Sequence, residues 1–220
     1  MNEQVERVRK LVPSIILTVL SMIQAIALEL YWGKLVASEF LWTGGWIALV
    51  GWLQFIALFF GILLIWLLYV SPMLRFHWMP SLEDTLAPFL IGLLEFALID
   101  LTHPSLTGPW LLILAMIFTT AVFTSHTISR RARSDSANDY FFSQQDSAAP
   151  TDYRESGITI ASLVLLGALL WIFPHAYWLA SLALLLTLIG MSYQYLEARR
   201  FWLHSITDAS SIGDDHPDSE

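Results

Sequence analysis

Six long apolar stretches follow one another along the chain, separated by short polar runs. They cover residues 11–32, 44–70, 84–102, 109–128, 157–173 and 177–196. A hydrocarbon core about 30 Å thick takes about 20 apolar residues of helix, so the pattern predicts an all-α integral membrane protein with six transmembrane helices. The intervening runs are short enough to pair these helices as three hairpins. The second stretch is the longest: 26 residues from Gly45 to Val70 make about 39 Å at 1.5 Å per residue, so tilt or a protruding end is expected.

The punctuation between the stretches agrees with this division. Ser81 followed by Asp84 forms a variant capping box that starts the third helix. Pro109 falls just inside the start of the fourth, where its missing N–H costs nothing. Phe173-Pro174-His175 turns the fifth helix into the sixth, predicting a tight last hairpin. The chain therefore divides into a polar lead at 1–10, a four-helix part at 11–128, a Ser/Asp/Ala/Gln-rich linker at 129–156, a third hairpin at 157–197 and an acidic tail at 198–220.

The first two hairpins resemble one another. Gln24-Ala25-Ile26-Ala27-Leu28-Glu29-Leu30 aligns with Glu95-Phe96-Ala97-Leu98-Ile99-Asp100-Leu101 at an offset of 71. Thr43-Gly44-Gly45-Trp46 aligns with Thr107-Gly108-Pro109-Trp110 at an offset of 64, so the first copy carries the longer loop. Helices one and three run in the same sense, which makes the expected internal repeat parallel rather than inverted. Repeats of either kind occur in transporters that bind their substrates between the halves. The third hairpin carries no such acids.

Composition supports lipid as the solvent: 56% of the 220 residues are hydrophobic and 14% charged, against roughly 45–50% and 25% in soluble domains. The basic residues then fix a sidedness. With an inner N-terminus, Arg7, Arg9, Lys10, Arg75, Arg130, Arg131, Arg133, Arg154, Arg199 and Arg200 are cytoplasmic, and only Lys34 lies outside. Both termini are expected in the cytoplasm, and the protein in the plasma (inner) membrane. The net charge of −8 disfavours nucleic acid and resides largely in the last loop and the tail. The chain holds no Cys, which excludes disulfides, thiolate metal sites and cysteine nucleophiles. The lipid bilayer is one expected partner; a second copy or another membrane protein is the other.

Polar groups inside the apolar stretches carry the candidate chemistry. A charge at the bilayer centre costs at least about 2.5–3.5 kcal/mol, so intramembrane acids are functional hypotheses by default. Glu95 lies nearest the middle of its helix, and Gln24 holds the corresponding place in the first. Gln54 is near the centre of the second helix; Thr119 and Thr120 are near the centre of the fourth. Glu29 and Asp100 fall close to the outer headgroups, with His103 three residues beyond Asp100. The competing structural reading makes Glu95 and the glutamines interhelical hydrogen-bond partners, worth about 0.6 kcal/mol each on average. For Glu29 and Asp100 the simple reading is carboxylates reaching water. His103 then serves as a helix C-terminal cation.

Other features carry less. The six His are scattered over loops and helix ends without zinc-helix spacing, and no metal or cofactor is expected. Trp32, Trp42, Trp46, Trp110 and Trp178 flank outer ends as an interfacial belt would. Ala57 and Gly61 provide a weak small-residue spacing. No GxSxG, HExxH, Walker loop or GxGxxG is present. The six-span layout is similar to that of the small bacterial relatives of lysosomal potassium channels. However, helix one reads Ser21-Met22-Ile23-Gln24 where their Phe-Ser-Asp signature would stand, and no role is carried over.

The leading reading is a transporter or channel for a small solute or ion, open to proton linkage. Its route would be lined by Glu95, Gln24, Gln54, Glu29, Asp100 and His103. The alternative is a non-catalytic membrane subunit or assembly partner whose polar groups lock helices together; a membrane enzyme ranks third. A route predicts a common interior with a funnel reaching it, and a scaffold predicts a dry centre.

Overall fold

The computed structural model describes residues 3–75, 82–139 and 154–213, and every regular element among them is helical. Six α-helices follow in order: α1 (Glu3–Ala37), α2 (Gly45–Arg75), α3 (Leu82–Asp100), α4 (Thr107–Arg133), α5 (Arg154–Ile172) and α6 (Tyr177–Gly213). Short 3-10 turns occupy Glu39–Trp42, Pro104–Leu106 and Ser136–Asn138. By length and composition, Leu11–Ala37, Gly45–Ser71, Pro104–Arg133 and Tyr177–Arg200 are long and apolar enough to cross a membrane. The apolar part of α5, Ser156–Ile172, is shorter. Glu83, Asp84, Glu95 and Asp100 dilute the hydrophobicity of α3. The Ser81 half of the capping box, most of the linker (140–153) and the end of the tail (214–220) lie outside the described residues.

The helices run past their apolar stretches. α1 already begins in the polar lead, α4 continues to Arg133, and α6 extends to Gly213. The sequence pattern marks where lipid should end, which is not where a helix must end. Once nucleated, a helix adds a hydrogen bond per residue through Glu, Gln, Arg and Lys, all good helix formers.

The packing differs from three closed hairpins. α1 lies along α3, α2 along α6, and α4 along α5, while α5 and α6 touch much less. The tight last hairpin is thus opened, and its two helices clasp different partners. Close approach at glycine explains half of this. A Cβ on Gly108 would stand 2.5 Å from the Trp171 amide nitrogen, and one on Gly167 would stand 3.1 Å from the Gly108 carbonyl oxygen. Two backbones meet there because neither residue carries a side chain. On the other side Gly61 faces the Met191 Cε, and the rings of Phe60 and Tyr195 lie 5.8 Å apart.

Burial along α1 recurs in α3 at the offset of 71. Leu20 and Ile91 are buried, as are Ile23 and Leu94, Gln24 and Glu95, and Ala27 and Leu98. Met22 and Leu93 are exposed by 63% and 65%, so the outward faces match as well. In α2 and α4, Val50 and Leu114 and likewise Leu53 and Ile117 are buried at the offset of 64. The aligned turns, however, do different work. Gly44 and Gly45 take φ values of +76° and +69°, reversing the chain between the 3-10 turn and α2. Gly108 is helical and serves close approach. Trp46 is exposed, whereas Trp110 is fully buried. Trp110 is therefore no belt residue, because the turn at 102–107 folds over it.

Gly44→Ala should lower stability by about 1 kcal/mol, since a Cβ disfavours the left-handed region by about that much. Gly33→Ala, with open space around it, should not lower it. Thermal unfolding in detergent micelles compares the two, and equal losses would refute the assignment.

Candidate functional site

Sequence spacing places Glu95 and Gln24 at one level, and parallel packing of α1 on α3 turns one toward the other. The Gln24 Nε2 donates to both Glu95 carboxyl oxygens, at 3.2 Å and 2.9 Å. Both residues are buried, Glu95 being 1% exposed and Gln24 5%. Gly92 makes room for this pair: a Cβ there would run into the Ile23 Cγ2. The Gln24 Oε1 is buried and has no hydrogen-bond partner among the described residues. The pair is short of donors, since three oxygens share one amide NH2 group.

The face of Glu95 turned away from α1 borders a cavity of about 30 Å³, enough for a water molecule. Its other walls are carbon or thioether, including Ala57, Gly61, Leu114, Phe118 and Met191. A second cavity of about 210 Å³ lies nearer the end that carries Arg130, Arg131 and Arg133, here called the basic end. Its walls are partly polar, with Tyr69, Thr124, Ser125, Ser156, Gln194 and Glu197. Ile65, Leu68, Phe118 and Ala121 line both cavities. The two cavities are therefore neighbours that meet at these four residues. They occupy the space between the α2–α6 pair and the α4–α5 pair, where α2 and α4 barely touch.

Gln54 does not join Glu95. It is fully buried nearer the opposite end, where its Nε2 donates to the His103 carbonyl oxygen at 3.3 Å and to the Thr107 Oγ1 at 3.4 Å. The Thr107 hydroxyl in turn donates to the Pro104 carbonyl oxygen. Trp110 donates its indole N–H to the Thr102 Oγ1 at 3.3 Å. These bonds tie α2 and α4 to the 102–107 turn and close that end of the bundle. The His103 ring is exposed; its Nδ1 accepts from the Ser105 amide, and it packs T-shaped with the Phe40 ring, centroids 5.0 Å apart. Glu29 and Asp100 are exposed, and the Asp100 carbonyl oxygen accepts from the Lys34 Nζ at 2.9 Å. Thr119 and Thr120 donate to carbonyl oxygens one turn back in α4, at Ala115 and Met116. That satisfies hydroxyls in an apolar setting and takes them out of any shared site. Among the described residues no group of three His, Asp or Glu side chains could hold a metal.

Of the sequence candidates, the structure thus unites Glu95 and Gln24, groups Gln54 with the His103 backbone, and leaves Glu29 and Asp100 at the surface. The larger chamber was not anticipated. Gln194 and Glu197, three apart at the end of the sixth apolar stretch, were the available signal. The preference for central depth passed them over.

Thr102→Val should cost about 1–3 kcal/mol, because it keeps the shape but strands the buried Trp110 N–H. Unfolding in mixed micelles measures it, and a loss matching that of the partly exposed Thr119→Val would contradict the assignment.

Long apolar helices packed around a buried acid–amide pair define a multi-pass helical membrane protein. No protein family, curated protein or solved structure matches the chain.

Proposed function

We propose that the protein moves a small solute or ion across the membrane, with Glu95 as the innermost binding group. One observation supports this above the rest: a partly polar chamber at the basic end adjoins the cavity that ends on Glu95. In this reading all six helices span the bilayer. Ten of the eleven basic residues then lie on one side, which supports cytoplasmic termini, a cytoplasmic basic end and a plasma (inner) membrane location. The matched burial of α1 and α3 favours a duplicated hairpin, with the acid–amide pair at the seam between the copies. In this reading the partly polar chamber belongs to the cytoplasmic end, and the hydrogen bonds of Gln54, Thr107 and Trp110 tie the outer end together. That is an inward-facing arrangement. A carboxyl at the inner terminus can carry a proton or a cation, which provides the chemistry for proton linkage.

The second reading is a non-catalytic membrane subunit. It draws on the apolar walls around Glu95 and on an inner cavity of only about 30 Å³. Purified protein in liposomes decides between them, using electrical and pH-dye measurements of ion and proton flux. Native protein should support flux, and Glu95→Gln should reduce it by about tenfold or more. Flux that is missing in native protein, or untouched by the substitution, would leave the subunit reading in possession.

A further inference from the structure

The cavities together narrow the class of solute, an inference that rests on the transport reading. Glu95, 1% exposed, is the single ionisable residue among those that line the inner cavity. The two Glu95 carboxyl oxygens accept from a single Gln24 NH2 group, which leaves lone pairs on the carboxyl for a ligand that donates hydrogen bonds and carries positive charge. A neutral donor would leave the carboxylate charge uncompensated, and an anion would be repelled by it.

Inorganic cations fit poorly. Calcium takes six to eight oxygens and magnesium a near-ideal octahedron of them. Potassium filters replace the hydration shell with rings of carbonyl oxygens. Here one carboxylate faces walls of Ala57, Gly61, Leu114, Phe118 and Met191, and nothing else on them returns the cost of dehydration. An organic ammonium meets the same walls on better terms. Its charge is already partly shielded by carbon, its N–H groups donate to the carboxylate, and its apolar body gains about 25 cal/mol for each Å² removed from water. Phe118 lines both chambers, presenting an aromatic ring to a cation that passes between them. The larger chamber has room for such a body, and its wall holds one further carboxyl, Glu197, with Gln194 beside it.

We propose that the two chambers form a binding site for a small hydrophobic organic cation, with its ammonium on the Glu95 carboxylate and its apolar body between α2, α4 and α6. The route in passes the junction at Ile65, Leu68, Phe118 and Ala121.

Binding of benzylammonium to the full chain in detergent tests this by titration calorimetry, with benzyl alcohol as the neutral counterpart and sodium and potassium chloride as competitors. Native protein should bind the amine at least about tenfold more tightly than the alcohol, with little competition from either salt. Glu95→Gln should weaken binding about tenfold or more. Ala121→Phe fills the junction without touching the Gln24–Glu95 pair, so it should abolish binding while keeping a native elution profile and helix content. The inference is overturned if native protein does not bind the amine, if the alcohol binds as well, if the salts displace it at millimolar concentration, or if a folded Ala121→Phe binds normally. Ion or proton flux in liposomes without amine binding would remove the organic cation and leave transport standing. Amine binding without any transport of labelled amine would do the reverse.

Discussion

Gly108→Ala should destabilise the protein by about 3 kcal/mol, at the upper end of what one overpacked methyl group costs. The added Cβ would meet the Trp171 nitrogen at 2.5 Å, the Leu170 carbonyl carbon at 2.8 Å and the Trp171 Cα at 2.8 Å. All three are backbone atoms of α5, so no flexible side chain can swing aside. Relief requires α5 to move off α4 by close to an ångström, which loosens dispersion contacts along the whole crossing. Van der Waals packing largely holds helices together in lipid, because burying apolar surface gains little there. Gly190→Ala is the control. Nothing lies within 4 Å of its site, so the substitution should be neutral or stabilise by up to about 1 kcal/mol through helix propensity. Unfolding by SDS in mixed micelles measures both. A loss below about 1 kcal/mol at Gly108 would mean that α4 and α5 do not touch through their backbones. A larger residue such as leucine at 108 should detach α5 altogether.

Gln24→Leu should cost about 2–3 kcal/mol, several times the average of about 0.6 kcal/mol for a hydrogen bond between membrane helices. That average is low because most polar groups find substitute partners. Glu95 has none nearby, since the cavity on its other side is carbon apart from the sulfur of Met191. Removing the donor at 2.9 Å leaves a buried carboxyl with no partner, and the penalty is the desolvation of that group. Glu95→Leu should be costly for the mirror-image reason, as the Gln24 amide loses its acceptors. The double variant, Gln24→Leu with Glu95→Leu, should recover to within about 1 kcal/mol of native, because two matched apolar groups leave nothing unsatisfied. A double-mutant cycle in micelles reads the coupling. Additive losses would show that the two side chains do not depend on one another. A recovered fold that no longer supports flux would identify the pair as functional, since stability alone does not require it.

The sequence announced this pair in an indirect way. Gln24 and Glu95 stand out as polar positions deep in apolar stretches, and they occupy equivalent positions in the two similar hairpins. Their contact follows from α1 and α3 running side by side in the same direction, and no periodicity states that. Gln54 shows the limit of depth as a guide. It sits near the centre of its own apolar stretch, yet it bonds the 102–107 turn, because that turn dips between the helices to cap the bundle. Trp110 misled for the same reason: an aromatic residue at a helix start looks interfacial until the preceding loop covers it. Glu29 and Asp100 are exposed, outside the buried interior that holds Gln24 and Glu95.

What the sequence determined by itself was the solvent and the elements. A chain with 56% hydrophobic residues in stretches of helix-spanning length has to satisfy its backbone internally, and continuous helices are how it does so. It also marked which few side chains would be expensive to bury. The tertiary structure alone decided which helices became neighbours, and therefore whether those side chains found one another. In an apolar solvent most helix faces are equally acceptable to lipid, so hydrophobic pattern carries little information about partners. Neighbours are chosen by the absence of a Cβ at Gly108, Gly167 and Gly92 and by single hydrogen bonds. Features of that size acquire meaning only once two helices are already in contact.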